Sequence, residues 1–329
     1  MNIEELKNIV EIPGVSGFED RVREWIVSKL ELPHRVDFAG NLIYSVDEGQ
    51  KEILFMAHMD EIGLVVTGIN PDGTLNFRKV GGIDDRILWG SHLDVVTPSV
   101  KLDGVIGVLP PHLSKQVSPP PSERMVIDVG AMSPEEAKRA GVKPVTFAVF
   151  KKQFSMLNGK FIASRALDDR FGCFALVELL RRLKSKPPRN KKVTVVFSVQ
   201  EEIGLKGARA YAARNDLPEV VYAVDSFACC SQLTGEVVMG RGPVLRILDN
   251  SAIASMKEVE HLTKLAENAG IPLQIGVTGG GTDGSVFVEH GSYMVPITLA
   301  VRYLHSTVEM ISIEDFENLI RLLIEIAYE

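Results

Sequence analysis

Two apolar runs constrain this chain more than any other feature. Glu52 to Ala57 reads EILFMA and stops at His58, and Lys192 to Val199 reads KVTVVFSV and stops at Gln200-Glu201-Glu202. Short continuous apolar runs ending in polar residues are the pattern of strands buried on both faces. Each would deliver an imidazole or a carboxylate at its C-terminal end. Helical spacing surrounds them: Val22, Ile26 and Leu30 fall on one face of a helix over Phe18 to Leu32, which predicts an N-terminal helical layer. Further helices are expected over Arg170 to Leu183, Leu205 to Ala213, Lys257 to Ala269 and Ile313 to Tyr328, with strands at Val220 to Val224 and Leu273 to Val277. This alternation predicts an α/β fold with a sheet covered by helices.

Thr67 to Ser155 has a different texture. Short apolar stretches (LDVVT, VIGVL, VTFAVF) alternate with Gly, Pro and Asp turn signals, which predicts a β-rich inserted domain. Its SPPPSE run, Ser118 to Glu123, lacks the amide donors of a helix or central strand and is expected to be an exposed loop.

Charge narrows the partners. A formal net charge of -7 gives no basic footprint for nucleic acid or an anionic membrane. The start, MNIEELKNIV, does not read as a signal peptide, and no stretch approaches the roughly 18 apolar residues of a membrane span. The expectation is a soluble, cytoplasmic protein whose partners are small molecules or its own copies, with no nucleic acid and no membrane. Cys229 and Cys230 are adjacent and Cys173 lies in a helical pattern, so buried thiols are expected in place of disulfides.

The polar residues at the strand ends bring in chemistry. Hydrolysing a peptide bond near neutral pH needs a nucleophilic water, a Lewis acid and a base, and two metals held by a shared carboxylate supply the first two. His58, Asp168, Glu201, Glu202, Asp225 and His305 provide imidazole and carboxylate ligands with a carboxylate to spare. Each also has a structural reading. A single histidine after a strand is more often a hydrogen-bonded structural residue. Glu201-Glu202 would suit a solvated helix start, Asp168-Asp169 a helix cap, and Asp225 a turn. Two echoes complicate the choice, because Asp84-Asp85-Arg86 repeats Asp168-Asp169-Arg170 and His92-Leu93-Asp94 repeats the spacing of His58-Met59-Asp60.

Five longer stretches are more specific. AHMDEIGLVV (Ala57 to Val66), RALDDRFGC (Arg165 to Cys173), VQEEIGLKGA (Val199 to Ala208), GGGTDGSVF (Gly279 to Phe287) and LHSTVEMIS (Leu304 to Ser312) resemble, in order and separation, the M42 family of metallo-aminopeptidases within the clan of dinuclear zinc peptidases. The resemblance implies a mixed-sheet catalytic domain flanked by helices over residues 1–66 and 156–329, with a β-rich, barrel-like oligomerisation domain inserted over 67–155. It implies two divalent metal ions per subunit, zinc or cobalt, with Asp168 bridging, His58 and Asp225 completing one site, and Glu202 and His305 the other. Glu201 is then the general base. Asp60, two residues along an extended strand, would hold the His58 ring. Asp169 would orient the bridging residue, and Asp84, Asp85, His92 and Asp94 would be surface or structural residues. The substrates implied are short peptides, and the assembly a homo-oligomer such as a tetrahedral dodecamer.

Two departures from the family pattern bear on the substrate pocket: Ser226-Phe227-Ala228-Cys229-Cys230 after Asp225, and Arg165 where many members have Lys. Phe227, on the same side of an extended strand as Asp225, either narrows the pocket for the first side chain or packs into the core beneath the site. Gly279-Gly280-Gly281 lacks the Lys-Ser/Thr of a phosphate loop and reads as a tight turn, with Gly281, Thr282 and Asp283 lining or bracing the site. A related amide hydrolase, an N-acyl-amino-acid deacylase or carboxypeptidase, is the alternative enzyme. A glycosidase would need two metal-free carboxylates, and a catalytically silent assembly protein would not need Glu201.

Overall fold

The computed structural model describes residues 2–46, 49, 51–189, 191–214 and 217–329. The four expected strands are joined by four others in a mixed eight-stranded sheet, in the order Arg35–Val36, Leu42–Val46, Lys191–Ser198, Lys51–His58, Val220–Ala228, Tyr293–Val301, Val244–Leu248, Gln274–Val277. The four central strands, from Lys191–Ser198 to Tyr293–Val301, are mutually parallel, with Ser198 opposite His58 and Asp225 opposite Thr298. Their C-terminal ends therefore open on one edge of the sheet, where open α/β folds bind ligands.

Alternation explains why these strands are apolar throughout. Ile53, Phe55 and Ala57 face the larger core, whereas Leu54 and Met56 face the opposite layer with Val196, Tyr211 and Phe287. The larger core is covered by helices Ile3–Glu11, Asp20–Lys29, Leu167–Ser185, Met256–Ala269 and Ile313–Tyr328. In the last of these, Phe316, Leu319, Leu322, Leu323 and Ile326 form the buried stripe, and Ser312 caps the N-terminus through the Asp315 amide.

The β-rich segment is a five-stranded antiparallel sheet ordered Leu75–Val80, Gly63–Ile69, Phe147–Phe150, His92–Val96, Lys101–Val105. Its first strand begins at Gly63, because the pairing with Leu75–Val80 starts there. Both edge strands reach one short segment: Leu75 exchanges hydrogen bonds with Ile127, and Val105 with Asp128. The proline run is a loop, as expected, but only partly exposed: Pro119 and Pro120 are half-buried, and Ser122, which opens a 3-10 turn over Ser122–Arg124, is buried. A third sheet is ordered Glu309–Ser312, Phe161–Ser164, Ser155–Leu157.

Two differences from expectation concern local detail. The Val220–Ala228 strand runs four residues past Val224, so Asp225 is a strand residue and not a turn residue. Of the three cysteines only Cys173 is a buried thiol; Cys229 and Cys230 are joined in a disulfide, with Cys230 exposed in a left-handed conformation.

Candidate active site

His58 is the last residue of its strand and is 3% exposed. Its Nδ1 lies 3.1 Å from the Asp60 carbonyl and 3.4 Å from Asp60 Oδ1. That side of the ring is thus engaged, and Nε2 faces Asp168 Oδ1 at 3.4 Å. Asp60 does more than touch the ring. Its Oδ2 accepts from Ser16 Oγ (2.6 Å) and the Glu202 amide (3.2 Å), and its Oδ1 accepts from the Glu201 amide (3.0 Å). One buried carboxylate thereby fixes His58 relative to the glutamate pair.

Asp168 sits where the helix Leu167–Ser185 begins, at a residue with non-helical backbone, and its peptide bond to Asp169 is cis. Asp169 accepts the Gly172 amide at 3.1 Å and the His58 amide at 3.3 Å, binding the helix start to the strand end. A Cβ on Gly172 would come within 2.3 Å of the Asp169 carboxylate, so glycine is required there. Glu309 accepts the Asp168 amide (3.1 Å) and the His305 amide (3.2 Å), and pairs with the fully buried guanidinium of Arg165 at 2.5 Å.

The remaining donors converge from other elements. His305 Nε2 stands 3.3 Å from Asp168 Oδ2 and 3.4 Å from Glu202 Oε2, while its Nδ1 meets the Gly82 carbonyl at 3.1 Å. Asp225 accepts the Ser226 amide at 2.6 Å and pairs with Arg246 at 3.2 Å. Arg246 also pairs with Asp249 (3.0 Å) and donates to the Gly281 carbonyl (2.9 Å), tying the glycine loop to the strand. His58, Asp168, Glu201, Glu202, Asp225, Arg246, Gly281 and His305 are among the residues lining a cleft of about 370 Å³. Thr282 and Asp283 are buried behind it, with Asp283 accepting from Ser198 Oγ.

The charge distribution is out of balance for a bare protein site. Burial raises Glu201 well above the ordinary carboxyl range, with further upward pushes from Asp225, Asp283 and Glu202. Burial likewise raises Glu202 and Asp225, whereas the two imidazoles lower Asp168 despite its burial. Burial opposes the charged form of His305, but Glu202 and Asp168 raise it to about 11. Crowded carboxylates of this kind call for added positive charge.

The donor set fits a metal ion. Ligand atoms of His58, Asp168 and Glu202 all lie within 4.8 Å of one another. Two ligands about 2.0–2.1 Å from one tetrahedral ion stand about 3.3 Å apart, and the His58–Asp168, His305–Asp168 and His305–Glu202 separations are 3.4, 3.3 and 3.4 Å. Among the described residues, Asp168 Oδ1 and Glu202 Oε1 are also buried without a hydrogen-bond partner. Imidazole nitrogen with carboxylate oxygen suits zinc and neighbouring divalent metals.

None of the echo residues Asp84, Asp85, His92 and Asp94 lines this cleft. Asp84 caps the short helix Asp85–Leu88, Asp85 pairs with Lys79, Asp94 pairs with Lys101, and His92 is exposed. Of the two readings open for Phe227, the structure gives the core one. Its side chain is 0% exposed and packs with Val237, Val244 and Ala300, with its ring directly beneath Gly276. It does not line the cleft because the sheet is covered on that side by the segment around Val237 and by the edge strand.

Four supporting residues went unassigned from sequence: Glu19, Arg246, Glu309 and the ion-pairing role of Arg165. Glu309 lies within LHSTVEMIS, and an acid between apolar residues was its available signal. Glu19 is a buried carboxyl pushed up to about 7 by burial and by nearby Asp60. Nothing in the local pattern FEDRVRE separates it from an exposed helix-start acid.

Fold and site together define a hydrolase with a metal-type donor cluster at the carboxyl edge of a mixed α/β sheet. A family model described as M42 glutamyl aminopeptidase matches residues 40–322, and the chain belongs to this family of aminopeptidases. The lysyl aminopeptidase of Pyrococcus furiosus is 34% identical over 332 residues, spanning 96% of this chain and 94% of that protein. The Pyrococcus horikoshii TET1 peptidase, described as able to assemble into a tetrahedron or a large octahedral shell, is 51% identical with a TM-score of 0.95 over 99% of both chains. PhTET1-12s, solved as a dodecamer, matches at 51% identity and a TM-score of 0.95 over 100% of this chain and 99% of that one. Among the described residues, no helix is long and apolar enough to cross a membrane.

Proposed function

We propose that this aminopeptidase removes N-terminal residues from short peptides, using two divalent ions, zinc or cobalt, held by His58 and Asp225 on one side, Glu202 and His305 on the other, and Asp168 between them. The observation that carries this reading is the division of Asp168: Oδ1 faces His58 and Oδ2 faces His305, each at the spacing of ligands sharing an ion. When bound, such a pair supplies Lewis acidity that eases deprotonation of water and stabilises a tetrahedral oxyanion. Glu201 takes the proton of the attacking water and returns it to the leaving nitrogen. Its raised affinity for a proton, from burial among other carboxylates, suits both halves of that transfer. Asp60 keeps the geometry by holding the His58 ring and the Glu201 and Glu202 amides together.

A free α-amine on the substrate is part of the same proposal, supported by the match to an aminopeptidase family and by the lysyl aminopeptidase relative. A panel of aminoacyl amides with free or acetylated amines, assayed with zinc or cobalt after metal stripping, tests this. Cleavage of the free-amine series alone is expected; preference for the acetylated series would identify a deacylase.

Self-association into a tetrahedral dodecamer, with the β-rich insert over 67–155 making subunit contacts, is part of the same proposal. Support comes from the assemblies of the two solved relatives and from exposed Val108, Leu109, Leu113 and Val117 on the insert. Light scattering of the full chain tests it, and a monomer at micromolar concentration would count against it. A cytoplasmic location is carried as part of the same proposal.

A further inference from the structure

We propose that Glu19 is a positioning residue for the hydrolytic centre, its carboxylate setting the turn that aims Glu201 and Glu202 into the cleft. This rests on the reading of Glu201 as base and Glu202 as ligand. Four successive amides leave the end of the strand Lys191–Ser198, and each is received by a side chain from the first sixty residues. Val199 N donates to Asn41 Oδ1 (3.1 Å), Gln200 N to Glu19 Oε1 (3.0 Å), Glu201 N to Asp60 Oδ1 (3.0 Å) and Glu202 N to Asp60 Oδ2 (3.2 Å). The carbonyls of Val199, Gln200 and Glu201 are satisfied locally by the amides of residues 204–207. The turn thus closes on itself through its carbonyls, while its orientation is set from outside through its amides.

Glu19 grips the point that most needs holding. Gln200 has φ +54°, a left-handed conformation that a non-glycine residue keeps only where its surroundings fix it. The gripping carboxylate is itself immobilised. Glu19 is 4% exposed, its Oε1 also accepts the Gly17 amide at 2.8 Å, and its backbone carbonyl receives the Val22 and Arg23 amides at the start of the helix Asp20–Lys29. Since Glu201 and Glu202 follow Gln200 directly, a rotation at Gln200 displaces base and ligand together. A displacement near 1 Å at a reacting centre costs about 100-fold in rate.

A residue that merely stabilised the N-terminal segment would change unfolding and leave kcat alone, which separates the two roles. The test compares Glu19→Ala, Glu19→Asp and Glu19→Gln with Glu201→Gln in the metal-loaded full-length enzyme, measuring kcat, KM and the unfolding temperature with an aminoacyl amide. Glu19→Gln keeps a carbonyl acceptor for the Gln200 amide and is expected to stay within about threefold of wild type. Glu19→Asp withdraws the acceptor by one methylene, and with Glu19→Ala is expected to lower kcat by about 10- to 100-fold with KM little changed. If Glu19→Ala does not fold, the Asp and Gln variants decide alone. Unchanged kcat in Glu19→Asp, or an equal fall in Glu19→Asp and Glu19→Gln, overturns the inference while an inactive Glu201→Gln leaves the base assignment standing. A fully active Glu201→Gln overturns the reading beneath it.

Discussion

His305 Nε2 stands 3.3 Å from Asp168 Oδ2, although the two residues arrive on separate elements, one in the loop after the strand Tyr293–Val301 and the other at the start of a helix. Glu309 makes the meeting possible, because it receives the backbone amides of both. The carboxylate is thus aimed through main-chain anchors and remains free to engage two imidazoles at once.

If Asp168 is shared between two ions, Asp168→Ala should empty both sites, whereas His92→Ala, an exposed change in the echo motif, should keep near-normal metal content and turnover. Elemental analysis of the two purified variants checks this. The reverse outcome would mean that the functional motif had been confused with its echo.

If Glu201 is the base and not a ligand, Glu201→Gln removes proton transfer alone. Both ions should remain bound while kcat falls by about two to four orders of magnitude. Loss of an ion from this variant would make Glu201 a ligand and leave the base unassigned.

The Arg165–Glu309 pair is fully buried, so Arg165→Met leaves the Glu309 carboxylate without its counter-charge. Removing one partner of a buried pair costs about 3–5 kcal/mol. Denaturant unfolding should register a loss of that order, and a change below about 1 kcal/mol would show that Glu309 is satisfied by its two amides alone.

Phe227→Ala should act on stability and not on specificity. Emptying a buried phenylalanine site costs about 3–5 kcal/mol, and the ratio of glycyl to leucyl amide hydrolysis should stay that of wild type because the ring lies in the core. A variant that gains leucyl activity with unchanged stability would restore the ring to the substrate pocket.

How far the chain could be read ahead of its structure depended on the range of the interactions. The strands at Lys51–His58 and Lys191–Ser198 were legible because burial on both faces leaves a continuous apolar run, and the last helix because its stripe is uninterrupted. Five stretches resembling the M42 family singled out His58, Asp168, Glu201, Glu202 and His305, which the structure brings to one cleft; Asp225 lies outside those stretches, and the imidazole and carboxylate inventory alone left structural readings open. The residues that hold them were not. Glu19, Arg246 and Glu309 act through contacts distant in sequence, and an acid before a helix or an arginine in a strand looks the same whether it is solvated or buried. Phe227 stayed open between pocket and core for a related reason: alternation gives the side of the strand but not what covers that side.

The most direct measurement is a zinc titration of the metal-stripped enzyme, following bound metal and hydrolysis of a free-amine aminoacyl amide together. Activity that is absent without metal and reaches its plateau at two ions per chain is the predicted result. Turnover that survives complete stripping, or that saturates with a single ion while the second adds nothing, would contradict the shared-carboxylate centre built on Asp168.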